Sequence, residues 1–145
     1  TPLQFSNDLD IASDGSIWFT DSSRFQQPDY MLDAFQARPH GRLIQYQPQT
    51  GVATVRLDGL YFANGVALSR NEDFVLVNET WHYRITRLWL RGAKAGSHDV
   101  FIDNLPGFPD GIAADRQGHF WLALPTLRNA VLDRVHPYPW LKSLI

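Results

Sequence analysis

Apolar and polar positions alternate in short bursts along this chain, and turn-forming residues separate the bursts. Stretches such as Ile17-Trp18-Phe19-Thr20 and Phe74-Val75-Leu76-Val77 are strand-length and rich in β-branched and aromatic residues, which predicts β-strands. The strands come in sets. Asn7-Asp8-Leu9-Asp10-Ile11 opens one, Asn64-Gly65-Val66-Ala67-Leu68 the next and Asp110-Gly111-Ile112-Ala113-Ala114 a third. Each set starts on Asn or Asp, passes a tight polar turn (13–16, 70–73, 115–119) and runs into a second strand, and the three align without a gap. Two more strands per set are expected at Gly41–Gln47 and 52–57, around Pro48-Gln49-Thr50-Gly51, and at 84–90 and His98–Ile102, around Gly92-Ala93-Lys94-Ala95-Gly96. Only 127–145 departs from this pattern; it predicts a short helix before Pro137 and another after Pro139.

The set openings stand at 7, 64 and 110, the spacing of four-stranded propeller blades of roughly 40–50 residues. The fold class is therefore all-β, a β-propeller of which this chain supplies about three blades, with blade-like units at 7–57, 64–102 and 110–145. A β-sandwich is the rival reading, but sandwiches rarely repeat themselves this way. Three units cannot close a ring. The chain starts at Thr1 and stops in an apolar segment, so the missing blades are expected from the rest of a longer protein or from a second copy.

Composition narrows the function. Of 145 residues, 44% are hydrophobic and 19% charged, which suits a packed domain. A net charge of −2 offers no basic field for nucleic acid. No apolar run approaches the ~20 residues of a membrane span. The absence of cysteine removes disulfides and thiolate metal sites. Neither a phosphate-binding glycine loop nor a Gly-x-Ser-x-Gly elbow is present. The expected partner is a small-molecule substrate.

Candidate chemistry lies at the set openings. The first strand of a blade lines the central channel, so Asn7, Asn64 and Asp110 are expected to converge on the axis at one end. Two amide oxygens and a carboxylate make a hard-oxygen set suited to one divalent cation, calcium above all. No histidine shares the column, which argues against zinc or copper. Asn and Asp also cap turns through their own backbone, which is the alternative. Loops after the second strands lie at the same end. Asp21, Ser22, Ser23, Tyr30, Glu79, Thr80, Trp81, His82 and Thr126 are thus candidate substrate-binding walls, or, for Asp21-Ser22-Ser23, a plain turn. His82 is the histidine on that face; His40 and His136 sit beside prolines, and His98 and His119 at turns. Trp18 and Trp121 are expected in the blade core. Asn78-Glu79-Thr80 spells a glycosylation sequon.

These residues carry a family pattern. Trp18-Phe19-Thr20-Asp21-Ser22-Ser23, Gly41-Arg42-Leu43, Leu60-Tyr61-Phe62-Ala63-Asn64-Gly65-Val66-Ala67-Leu68-Ser69 and Asn104-Leu105-Pro106-Gly107-Phe108-Pro109-Asp110-Gly111-Ile112 resemble the strictosidine synthase-like family, within the gluconolactonase and paraoxonase superfamily. The resemblance implies a six-bladed propeller and, in the hydrolases of the superfamily, a calcium ion held by Glu, two Asn and Asp. Asn7, Asn64 and Asp110 match the last three; the Glu would precede Thr1. Gly111 departs from the branch, which often has Asn there. The activity this resemblance implies is calcium-dependent hydrolysis of lactones, aryl esters or organophosphates, with Asp110 as both ligand and catalytic residue. The alternatives are a metal-independent lyase joining an amine to an aldehyde, and a propeller that only binds.

Overall fold

The computed structural model describes residues 2–26, 29–36, 38–115, 117–128, 130–135 and 138. Strands β1 (Ser6–Ile11), β2 (Ile17–Asp21), β3 (Gly41–Gln47) and β4 (Val52–Leu60) form one antiparallel sheet in that order. Strands β5 (Ala63–Leu68), β6 (Phe74–Glu79), β7 (Arg84–Trp89) and β8 (His98–Ile102) form a second. Strands β9 (Ile112–Ala114) and β10 (Phe120–Leu122) pair as a third. Every strand pairs with its neighbour in sequence, and the last strand of one sheet leads into the first of the next. These are blades of a β-propeller, two of them four-stranded and the third described through its inner pair. Helix α1 (Met31–Gln36) interrupts the loop between β2 and β3, and α2 (Ala130–Val135) follows β10. The expected helix after Pro139 and His136 lie outside the described residues. Among the described residues no helix is long and apolar enough to cross a membrane.

The strand registers correct the gap-free alignment. Ile11 pairs with Ile17 and Ala114 with Phe120, but Leu68 pairs with Val75. The middle turn holds one extra residue, with Glu72 in the left-handed region at φ 56°. Beyond that turn the equivalent of Asp21 is Glu79, where the ungapped alignment puts Asn78.

The core lies between blades. Trp18, Leu43, Leu57, Val66, Val75 and Leu88 pack the first blade on the second. Leu76, Tyr83, Ile85 and Ile112, with Phe74, Phe101 and Phe120 around them, pack the second on the third. The middle sheet is covered on both sides, so β5 is buried throughout and β6 from Val75 onward. Such strands read as continuous apolar runs. Strand β1 is covered on one side only. Leu9 and Ile11 are 57% and 54% exposed, while Asp8 and Asp10 face the second blade. Asp8 Oδ2 accepts from Val66 N at 3.0 Å and Asp10 Oδ2 from Leu68 N at 2.8 Å. The two carboxylates satisfy N–H groups on the open inner edge of β5, a place where an unpaired strand invites wrong pairing. Trp18 is in the core as expected, but Trp121 is 71% exposed. Its face of β10 is uncovered among the described residues.

On the outer part of the second blade, Arg87 Nε and Nη2 donate to Asp99 at 2.9 Å each. Trp89 Nε1 adds a 3.2 Å bond, and the guanidinium lies 4.1 Å from the Trp89 ring centroid. The Arg87 hydrogen bonds hold the Asp99 carboxyl down at about 2, from an ordinary 3.8. A depressed carboxylate contributes stability above its unfolded value, and that contribution is lost as pH falls through the folded one. Asp99→Asn is therefore expected to lower the melting temperature of the complete protein at pH 7. The gap to wild type should close between pH 3.8 and about 2; a gap constant with pH would show that charge is not the cause.

Candidate metal-binding site

Asn7 and Asn64 sit where the pairing of the inner strands slips. Between Ser6 and Leu9, and again between Ala63 and Val66, the first strand carries one residue more than its partner. Such a bulge re-aims a side chain. With Asp110 and Gly111, the two Asn residues line a single cleft of about 750 Å³, completed by Asp8, Ile112, Ala113, Trp121, Leu122 and Ala123. The sequence-predicted column is thus brought to one place. Asn64 is 6% exposed, Asp110 half-buried and Asn7 exposed.

Hydrogen bonding fixes which atom of each amide is engaged and which is left over. Ser22 Oγ donates to Ala63 O at 2.6 Å, and Thr80 Oγ1 to Pro109 O at 2.8 Å. A hydroxyl has a single proton, so each can only accept from its second neighbour. Asn7 Nδ2 donates to Ser22 Oγ and Asn64 Nδ2 to Thr80 Oγ1, both at 3.1 Å. The Oδ1 atoms are therefore left over. Neither they nor the Asp110 carboxylate accept a hydrogen bond among the described residues. Two free amide oxygens and a carboxylate in one cleft fit a hard divalent cation such as calcium. They do not fit zinc or copper, which prefer nitrogen and sulfur. Among the described residues no three His, Cys, Asp or Glu side chains gather to hold a metal, so this oxygen set is the candidate.

Contacts from each blade hold the backbone of the next blade's column residue. Thr20 Oγ1 donates to Asn64 O at 2.7 Å, and Asn78 Nδ2 to Asp110 O at 2.5 Å. Gly65 N reaches the same Asp110 carbonyl at 3.0 Å. Asn78 is fully buried, so its sequon is closed to a glycosyltransferase in the folded chain.

Four expected pocket walls have other work. Asp21, Ser22, Glu79 and Thr80 are 2%, 0%, 0% and 6% exposed. Asp21 Oδ1 accepts from Gln4 N and Phe5 N at 3.1 and 2.8 Å, and Oδ2 pairs with Arg42. Glu79 repeats the device with Tyr61 N at 3.0 Å and Arg84 Nε at 2.8 Å. In both blades a buried carboxylate ties the chain just before the column residue to an arginine near the start of the third strand. Ser23 is also buried. Trp81, His82 and Tyr30 are half-buried and Thr126 is exposed; none of the four lines the column cleft. His82 stacks on Tyr61 with centroids 3.5 Å apart. His40 Nδ1 lies 2.7 Å from Oδ1 of Asp33, which is wholly buried in α1. Burial pushes the Asp33 carboxyl up, against the hydrogen bond from His40.

A further set was missed in the sequence. Phe5, Phe62 and Phe108 each stand two residues before a column residue, a spacing that was there to be read. Phe5 and Phe62 are 5.8 Å apart, Phe62 and Trp81 4.9 Å, and Trp81 and Phe108 5.8 Å. This aromatic belt joins the blades at the column end. Phe62 holds φ 59°, a conformation that costs about 1–3 kcal/mol for a bulky residue, and its burial at 5% exposure offsets the strain.

Comparison with known proteins agrees with this fold. Adipocyte plasma membrane-associated protein of Salmo salar is 42% identical over 149 residues, covering 99% of this chain and 36% of the relative. STRICTOSIDINE SYNTHASE-LIKE 10 of Arabidopsis thaliana is 44% identical over 146 residues, covering 99% and 39%. The chain thus spans little more than a third of the length of these relatives. Among solved structures, a gluconolactonase from Xanthomonas campestris superposes with a TM-score of 0.65 at 27% identity, over 83% of this chain and 41% of that one. A regucalcin, a calcium-binding protein from Agrobacterium tumefaciens, does so at 0.63 and 23% identity, over 82% and 38%, a likeness of fold alone. The sequence model of the strictosidine synthase family matches residues 7–93, more than half of the chain, and the chain belongs to that family.

Proposed function

We propose that the complete protein is a calcium-dependent hydrolase of lactones, aryl esters or organophosphates, and that Asn7, Asn64 and Asp110 hold its cation. One observation carries the reading: hydroxyl partners turn both Asn amides so that Oδ1 is free, and both residues line the cleft that Asp110 also lines. The likeness to a gluconolactonase at 27% identity supports it. A bound divalent cation supplies polarisation of a carbonyl or phosphoryl oxygen and stabilises the charge developing there. Asp110 has the chemistry to take a proton from an incoming water or to attack the substrate itself. Its backbone is anchored from both sides, by Asn78 and Gly65 at its carbonyl and by Ala123 O at its N–H, 3.0 Å away. Such anchoring keeps the carboxylate in place against the reacting atoms.

In the complete protein, Asp110→Asn is expected to lower hydrolysis of an aryl ester at least a hundredfold, a rough floor for losing a general base. Calcium affinity should fall with it, while the circular dichroism spectrum is kept. Wild-type turnover in this variant, or hydrolysis unaffected by a chelator, overturns the reading.

A further inference from the structure

We propose that Ser22 and Thr80 are positioning residues, which set the oxygen of each column amide towards the cation and couple that setting to the packing of the next blade. The inference rests on the metal reading of the same cleft. Each hydroxyl stands between two blades. Ser22 Oγ accepts a hydrogen bond from Asn7 Nδ2 and donates one to Ala63 O, the carbonyl just before Asn64. Thr80 Oγ1 accepts a hydrogen bond from Asn64 Nδ2 and donates one to Pro109 O, just before Asp110. The side chain of one ligand is thereby linked to the backbone that carries the next.

The device appears where an amide needs it. An amide has one oxygen face and one nitrogen face, and only the first can meet a cation. A carboxylate offers oxygen on both sides, so Asp110 has no orientation to lose. In the strand register the place of Ser22 and Thr80 is taken in the third blade by Pro125, whose side chain neither donates nor accepts a hydrogen bond. Ser22 and Thr80 are 0% and 6% exposed, so water has little room to replace the hydroxyl. Without it, Nδ2 loses its acceptor and the amide is free to turn.

The test is calcium titration alone, by calorimetry on the complete protein. Thr80→Val keeps the shape of the side chain and removes the hydroxyl; its calcium affinity should fall about 10–100-fold, the usual loss for a residue that orients a ligand. Thr80→Ser should restore it. In an Asn64→Asp background, where either face is oxygen, Thr80→Val should change affinity less than about twofold, because no amide orientation is left to lose. A role confined to blade packing would keep its full effect in that background, and this result overturns the proposal. Normal calcium binding by Thr80→Val, with binding weakened by Asn64→Ala, overturns the positioning role and leaves the metal reading standing. A wild-type protein that binds no calcium overturns both. Ser22→Ala in wild-type and Asn7→Asp backgrounds gives the same comparison if Thr80→Val does not fold.

Discussion

Glu79→Ala is expected to destabilise the complete protein by roughly 3–5 kcal/mol, the usual cost of removing one partner of a buried ion pair. The carboxylate is fully buried and accepts four hydrogen bonds. Arg84 supplies two, at 2.8 and 3.1 Å, Thr86 Oγ1 one at 2.5 Å and Tyr61 N one at 3.0 Å. Alanine leaves all four donors without an acceptor. Arg84 is 28% exposed and recovers some hydration, whereas Thr86 at 3% exposure recovers little. Removing Glu79 also frees the chain at Tyr61, three residues before Asn64. Urea unfolding of wild type, Glu79→Ala and Glu79→Gln checks this, with Gln intermediate because it keeps the volume and loses the charge. Unchanged unfolding combined with lost hydrolysis would return Glu79 to the substrate wall.

Gly65→Ala is expected to cost about 3 kcal/mol, more than most insertions of a methyl group into a packed core. A Cβ on Gly65 would collide with Asp110 O and lie 2.6 Å from Ile112 N and 2.8 Å from Asn78 Nδ2. The first two are backbone atoms of the neighbouring blade and cannot step aside like the end of a flexible side chain. Relief requires the third blade to move out. That breaks the bonds from Gly65 N and Asn78 Nδ2 to the Asp110 carbonyl, each worth roughly 1 kcal/mol. Calcium affinity should fall together with stability, since the displaced residue is a proposed ligand. Gly111→Ala is the control, because nothing lies within 4 Å of a Cβ there; it should unfold like wild type. Equal stability of Gly65→Ala and Gly111→Ala would refute the close-approach argument.

The strands were legible because their information is local. Gly41–Gln47 and His98–Ile102 are found as expected, since β-branched and aromatic runs between turn residues seldom do anything else. The column openings were legible because the units repeat, and equivalent residues of a repeat occupy equivalent places. The alignment erred by one residue after Leu68, because a turn accommodates an extra residue without changing the apolar pattern on either side. The loop at 22–40 hid its helix, as α1 is only six residues long and its burial comes from what lies around it.

Function-bearing side chains were harder to read. Asp21 and Glu79 look like pocket residues in sequence, because a carboxylate at a strand end is ordinarily solvated. Their burial follows from Arg42 and Arg84, which only strand pairing brings alongside. By itself the chain determined its strands, its repeat and the oxygen chemistry of Asn7, Asn64 and Asp110, all properties of residue type and spacing. The tertiary structure decided which face each amide shows and which polar groups are consumed inside. Those outcomes depend on hydrogen-bond partners from the adjacent blade, and a hydroxyl with one proton to give settles them only when both neighbours are in place.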